Sequence, residues 1–318
     1  MEFRTKVNTP KSSIQLQHSD SLFLLGSCFS SNIAERLHHY KFRSLANPLG
    51  ISYNPISLHN SLFKIENLVW ERSIQDTYYN YNFHSDLNGL SVEACQKKYK
   101  ELYDIQSSFI QTSNTIFITY GTAWVYELKS NNRVVNNCHK QKSTAFRKRM
   151  LSIDEITQSW EGTIKKLSNN YQKEFNFIFT VSPIRHLKNG FHENQLSKSV
   201  LLLAVDAICK KFANCSYFPS YELLLDDLRD YRFYEPNLTH PSSTAIDYIW
   251  QKIDEMYFNE ETKRINQQVL KLQQALNHKP FHEGSTNYKD FTNNLKQKLI
   301  AFQEQTQIDF SKEIRSIE

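Results

Sequence analysis

The sequence predicts an α/β domain on a central parallel sheet, with a helical hairpin appended at its end. Short apolar runs that stop at Gly or Pro carry that expectation, together with amphipathic segments between them and a change of character near residue 260. Continuous apolar runs suit strands buried on both faces, and strands that alternate with helices make a parallel sheet.

The first run, SLFLL (Ser21–Leu25), ends at Gly26 and is followed by helix-like NIAERLHHYKF (Asn32–Phe42), which reads as strand, tight turn, helix. SLANPL, ending at Gly50, offers a further short strand. TIFITY ends at Gly121, FNFIFTV at Ser182-Pro183, and CSYF at Pro219. Between them, Ser152 and Glu155 make a capping box ahead of Ile153, Ile156, Trp160, Ile164, Leu167 and Tyr171, which share one helical face. Leu196–Ala213 reads as another helix. Pro241 stands at a first helical position, leading Ile246, Ile249, Trp250, Ile253 and Tyr257.

In the tail, Ile265, Val269, Leu272 and Leu276 form one apolar stripe, and Tyr288, Phe291, Leu295, Leu299 and Phe302 form a second. HKPFHEGST between them supplies the Pro and Gly284 of a hairpin turn. The expected division is residues 1–260 as the α/β domain, with an insertion at about 55–112, and 261–318 as a helical extension for packing or homo-oligomer contacts.

Composition narrows the function. Thirty-eight basic against thirty-three acidic residues leave +5, too mild to demand a nucleic-acid partner. No apolar run reaches the ~18 residues of a membrane span, and MEFRTKVNTPKSS lacks the apolar core of a secretory signal. The five cysteines, Cys28, Cys95, Cys138, Cys209 and Cys215, are odd in number and contain no CxxC pair, which suits a reduced cytoplasmic protein. His38-His39, Cys138-His139 and His186 with His192 fall short of a zinc ligand set. Only seven glycines are present and none forms a GxGxxG phosphate-binding loop. The basic run CHKQKSTAFRKRM reads as a solvated loop or helix face, with an anionic partner as the alternative.

Ligands of open parallel sheets bind beyond the carboxyl ends of the strands. Gly26-Ser27, Gly121-Thr122, Ser182-Pro183 and Gly50 stand at those ends. Ser27 is a candidate nucleophile at a strand-to-helix turn, where free helix N–H groups stabilise an anion. Cys28 beside it is either a thiol nucleophile or a packing residue. His240, in the loop entering the last helix of the domain, is the candidate base. The aromatic run YYNYNF, between the Gly50 and Gly121 blocks, suits either stacking on a sugar or packing in a core.

Five blocks together resemble the GSCFA family, a bacterial group that looks related to the SGNH/GDSL hydrolases. They are GSCFS (26–30), NPLGISYNP (47–55), ITYGTAWVYE (118–127), TVSPIRHLKNGFHENQLSKS (180–199) and FYEPNLTHPSSTAIDYIW (233–250). The resemblance implies a flavodoxin-like three-layer α/β/α sandwich and an acyl ester hydrolase without metal or cofactor, acting on a small-molecule or saccharide ester. It implies Ser27 as nucleophile and first oxyanion donor, Gly50 as second donor, and His240 as base.

Two positions depart from the superfamily pattern. The oxyanion-hole asparagine after the third strand is replaced by Gly121-Thr122-Ala123, leaving Thr122, Asn54 or His186 as substitutes. The aspartate three residues before the histidine is Asn237, whose amide oxygen accepts a hydrogen bond without adding charge. Glu235, Asp227 and Asp230 are alternative partners, and a Ser27–His240 dyad is the simplest form. Gly121, Arg185, His186 and Asn54 are the candidate substrate-binding residues. A non-catalytic binding protein and an acyltransferase are the competing functions on the same fold.

Overall fold

A computed structural model of the chain describes residues 4–73, 75–278 and 285–317. Strands β1 (Ser21–Gly26), β2 (Arg43–Ala46), β3 (Thr115–Tyr120), β4 (Asn176–Val181) and β5 (Cys215–Phe218) form a parallel sheet in the order β2-β1-β3-β4-β5. This is the flavodoxin-like order, which switches direction between β1 and β3. Each apolar run read from the sequence is one of these strands.

Helices α1 (Cys28–His39), α2 (Pro55–Ser61), α3 (Val92–Thr112), α4 (Ile153–Tyr171), α5 (Phe191–Lys211) and α6 (Ser243–Tyr257) flank the sheet. Alternation along the strands sorts side chains into two cores. Phe23, Leu25, Ile116, Ile118, Phe177 and Phe179 pack with residues of α2 through α5. Leu22, Leu24, Phe117, Ile178 and Phe218 pack with residues of α1 and α6. The result is the three-layer α/β/α sandwich. Trp160, fully buried on α4, donates its indole N–H to Pro55 O at 3.1 Å and ties α4 to the start of α2.

Helix boundaries differ from the sequence reading for identifiable reasons. α1 begins at Cys28 rather than Asn32, because Ser27 Oγ accepts from Phe29 N–H and caps it. α5 begins at Phe191, a turn earlier than the apolar periodicity suggested. Pro241 stands outside α6; Ser242 caps that helix by accepting from Ala245 N–H, and Pro241 pairs with Tyr234 across an isolated bridge. The Ser152–Glu155 capping box is formed.

The antiparallel sheet of Trp124–Leu128, Val134–Val135 and Phe146–Met150 was not foreseen. The basic run supplies its last strand instead of a solvated loop or helix face. Buried Glu127 draws Arg147 and Arg149 to 2.6 Å each, and the two guanidiniums hold its carboxyl below the usual range although burial alone would raise it. The YYNYNF rings are core: Tyr79 and Tyr81 pack with Leu128, Val135 and Phe146, and Phe83 packs with Trp70 and Tyr99. Those rings are therefore unavailable to stack on a sugar.

The tail forms α7 (Glu260–Leu276), α8 (Thr286–Thr306) and α9 (Ser311–Ser316). Val269, Leu295, Leu299 and Phe302 make a separate apolar cluster with Ile308 and Phe310, while Phe291 stays exposed. Lys41 pairs with Glu313 at 2.6 Å, joining α9 to the end of α1. Residues 279–284 of the hairpin turn, including Gly284, lie outside the described residues. No helix among the described residues is long and apolar enough to cross a membrane.

Candidate active site

The carboxyl ends of β1, β3 and β4 are level: Gly26 pairs with Thr119, and Tyr120 with Val181. β1 stops at Gly26, whose φ is +145° and where an added Cβ would lie 2.4 Å from Thr119 O. Only glycine lets the chain turn there against the neighbouring strand. Ser30 Oγ donates to Leu25 O at 3.1 Å and lies 2.8 Å from Thr119 Oγ1, fastening the first turn of α1 to the sheet. Ser27 is thereby held at the sheet edge as the N-cap of α1, 2 % exposed.

A cavity of about 40 Å³ opens at this point, lined by Ser27, Gly121, Thr122, Arg185 and His186 together with Cys28, Tyr53, Ser182 and Ile184. Five of the sequence candidates therefore share one cavity. Burial pushes the Cys28 thiol above its usual ionisation range, so Cys28 is a neutral wall rather than a thiolate. His186 stands at the rim, and desolvation together with the charges of Lys198, Lys148 and Lys188 holds its imidazole below the usual histidine value.

Other candidates are engaged elsewhere. Gly50 N–H donates to Asn47 O at 2.8 Å within its own turn, so that amide is not free to hold an oxyanion. Asn54 caps α2, accepting from Ser57 N–H at 2.8 Å and donating to Ser57 Oγ at 2.9 Å, and does not line the cavity. The N–H groups of Gly121 and Thr122 both donate to Tyr53 O, at 2.8 and 3.0 Å. Thr122 Oγ1 accepts from Trp124 N–H and contacts Ser197 Oγ, each at 3.1 Å.

The two loop residues are not assembled with Ser27. His240 is exposed, its Nδ1 lying 3.2 Å from Thr239 Oγ1, and it does not line the cavity. Asn237 Oδ1 accepts from Thr239 N–H, Thr239 Oγ1 and His240 N–H at 2.9 Å each, so it braces the loop backbone instead of orienting the imidazole. Asp227 is held by Arg4 and Tyr248, and Asp230 accepts from Arg232 N–H. Arg185 bridges the gap: its Nη2 donates to Leu238 O at 2.6 Å, and its guanidinium faces the Tyr234 ring at 4.9 Å. The loop carrying His240 is thus moored to the cavity wall.

Sequence reasoning passed over Lys198, which is 1 % exposed. Its Nζ donates to Gly121 O at 2.8 Å and Ser182 O at 2.7 Å, clamping the ends of β3 and β4 together. The signal was present, because Asn194, Ser197, Lys198, Leu201 and Val205 share the buried face of α5 at helical spacing. Burial lowers its ionisation to about 7. An unfolded lysine titrates at ~10.4, so between these values the unfolded chain binds more protons and stability rises with pH. The difference in melting temperature between the natural chain and Lys198→Met is therefore expected to move in favour of the natural chain from pH 7 to pH 9, as read by calorimetry.

A family model described as the GSCFA family matches residues 21–253, from the first residue of β1 into α6. The chain belongs to the GSCFA family. A second model, the GSCFA domain protein, C-terminal domain, matches residues 269–318, covering most of the helical tail. No curated protein matches the chain. In this GSCFA chain the GSCFS block straddles β1 and α1, and the SPIRH block supplies Ser182, Arg185 and His186 of the cavity.

Proposed function

We propose that this GSCFA protein is a serine hydrolase that cleaves a small acyl ester. Ser27 is the nucleophile and His240 the base. The observation that carries this reading is the Ser27 hydroxyl itself, recessed in a cavity at the switch point of the sheet and at the N-terminus of a twelve-residue helix. The cavity of about 40 Å³ admits only a small group, since ~10–15 Å³ of such space already holds one water.

On this reading Ser27 Oγ bonds to the ester carbon, its proton passes to the imidazole, and the carbonyl π pair moves onto oxygen. The Cys28 N–H at the start of α1 and the helix dipole favour that anion, since the Phe29 and Ser30 N–H groups already donate to Ser27. Collapse restores the carbonyl and expels the alcohol, which takes the proton. Water then adds to the acyl carbon, giving a proton to the imidazole; the Ser27 Oγ–acyl bond breaks, Oγ takes that proton back, and the acid leaves. The 235–240 loop must swing inward to deliver His240, and the Arg185–Leu238 bond keeps it within reach.

A second reading makes His186 the base, favoured by its place in the lining of the cavity. Turnover of p-nitrophenyl acetate separates the two. His240→Ala is expected to lose about 10³-fold or more and His186→Ala about tenfold or less. The reverse order transfers the role to His186, and full activity in both variants overturns a histidine base.

Asn237→Asp tests the third position. A carboxylate accepts the same three hydrogen bonds from Thr239 and His240. The rate is therefore expected to stay within about threefold of the natural chain, a change below ~0.7 kcal/mol. A tenfold or greater gain would mean that this side chain orients the imidazole during turnover.

A further inference from the structure

We propose that Lys198 is the built-in counter-charge of the cavity, a positioning residue whose ammonium favours an anion held beside Ser27. On the esterase reading, which this inference extends, that anion is the tetrahedral oxygen formed when Ser27 attacks, and afterwards the carboxylate product.

Three observations support it. First, Nζ holds Gly121 O and Ser182 O, and both residues line the same cavity as Ser27 and Cys28. Second, no carboxylate among the described residues lies within 4.0 Å of it, so its charge is balanced only by carbonyl dipoles. A buried ion without a paired counter-ion is costly, and structural lysines are rarely fully buried unless paired. Third, the titratable groups that face it come from separate elements: Cys28 of α1, His186 after β4, and the Tyr221 ring at 5.6 Å beyond β5. Each is neutral in its ordinary state near pH 7, so none neutralises the ammonium. A merely structural clamp between two carbonyls needs only a neutral donor; when protonated, the same amine adds a charge just behind the Gly121 and Ser182 lining of the cavity.

Binding of an anion must therefore be coupled to protonation of Lys198. Acetate, the acid released from an acetyl ester, is the probe. In the full chain with ¹³C-labelled lysine, the ionisation midpoint of Lys198, starting near 7, is expected to rise by about one pH unit or more in saturating sodium acetate. Acetate affinity is expected to fall about tenfold or more between pH 6 and pH 9, because binding favours the protonated amine.

Cys28→Asp gives a second arm that avoids disturbing the clamp. Aspartate is favoured in the first turn of a helix, so this variant is expected to fold, and its fixed carboxylate should raise the Lys198 midpoint without any ligand. A midpoint that ignores both acetate and Cys28→Asp overturns the proposal, whatever the ester turnover. A midpoint that responds in a chain without ester turnover upholds the counter-charge and removes the esterase reading instead.

Discussion

A Ser27→Ala chain is expected to fold and to lose ester turnover by about 10³-fold or more, the scale on which nucleophile deletions act in serine hydrolases. The same residue caps α1, accepting from Phe29 N–H at 3.3 Å. Removing an N-cap costs ~1 kcal/mol, which for a chain of this length is a fall of about 2 °C in melting temperature. The two effects differ in scale, and this separates chemistry from structure. Loss of the cap alone would leave nearly all molecules folded and active. Cys28→Ala is the matched control. It removes a neutral thiol from the same cavity, and activity is expected to remain within a few-fold. If Ser27→Ala retains activity and Cys28→Ala loses it, the nucleophile has been assigned to the wrong neighbour.

Gly26→Ala is expected to have the largest effect on stability. A Cβ at this position would lie 2.4 Å from Thr119 O, 2.6 Å from Thr119 Cβ and 2.9 Å from Ser30 Oγ. The first obstacle is backbone of the adjacent strand, so the alanine cannot be accommodated by a rotamer change. A φ of +145° adds strain for any residue with a side chain. Overpacking and backbone strain together are worth about 3–5 kcal/mol, enough to unfold a marginal domain or to part β1 from β3. A companion Thr119→Ala substitution removes the side-chain branch and leaves both the carbonyl oxygen and Cβ, so it is expected not to rescue. Chemical denaturation of the two variants checks both statements. A denaturation curve for Gly26→Ala superimposable on the natural one would contradict the close approach of β1 to β3.

The sheet was legible because β1, β3 and β4 are continuous apolar runs that end beside Gly or Pro, a pattern that burial on both faces imposes. The start of α1 was harder to read, since in GSCFS the capping serine and the first helical turn look like a polar loop until Phe29 N–H is seen to need an acceptor. The antiparallel sheet was hidden by composition. Its last strand is FRKRM, and buried Glu127 with Glu155 of α4 explains why arginines sit there.

In the candidate site, motif order led to Ser27, Gly121, Thr122, Arg185 and His186, which line one cavity. It was less informative on Gly50, Asn54 and Asn237, because a small or amide residue in a motif block serves equally well as a turn or a cap, and here local backbone N–H and C=O groups engage all three. Lys198 was missed because a lysine is ordinarily assigned to the surface. Its helical phase among buried neighbours marked it as an exception.

The most direct test of the central claim is covalent. The full chain is treated with a fluorophosphonate, which forms a stable adduct only with an activated serine, and the modified peptide is located by mass spectrometry. The expected result is one adduct, on Ser27, formed in the natural chain and absent from Ser27→Ala. Labelling at another serine, or none under conditions where p-nitrophenyl acetate is turned over, would contradict Ser27 as the nucleophile.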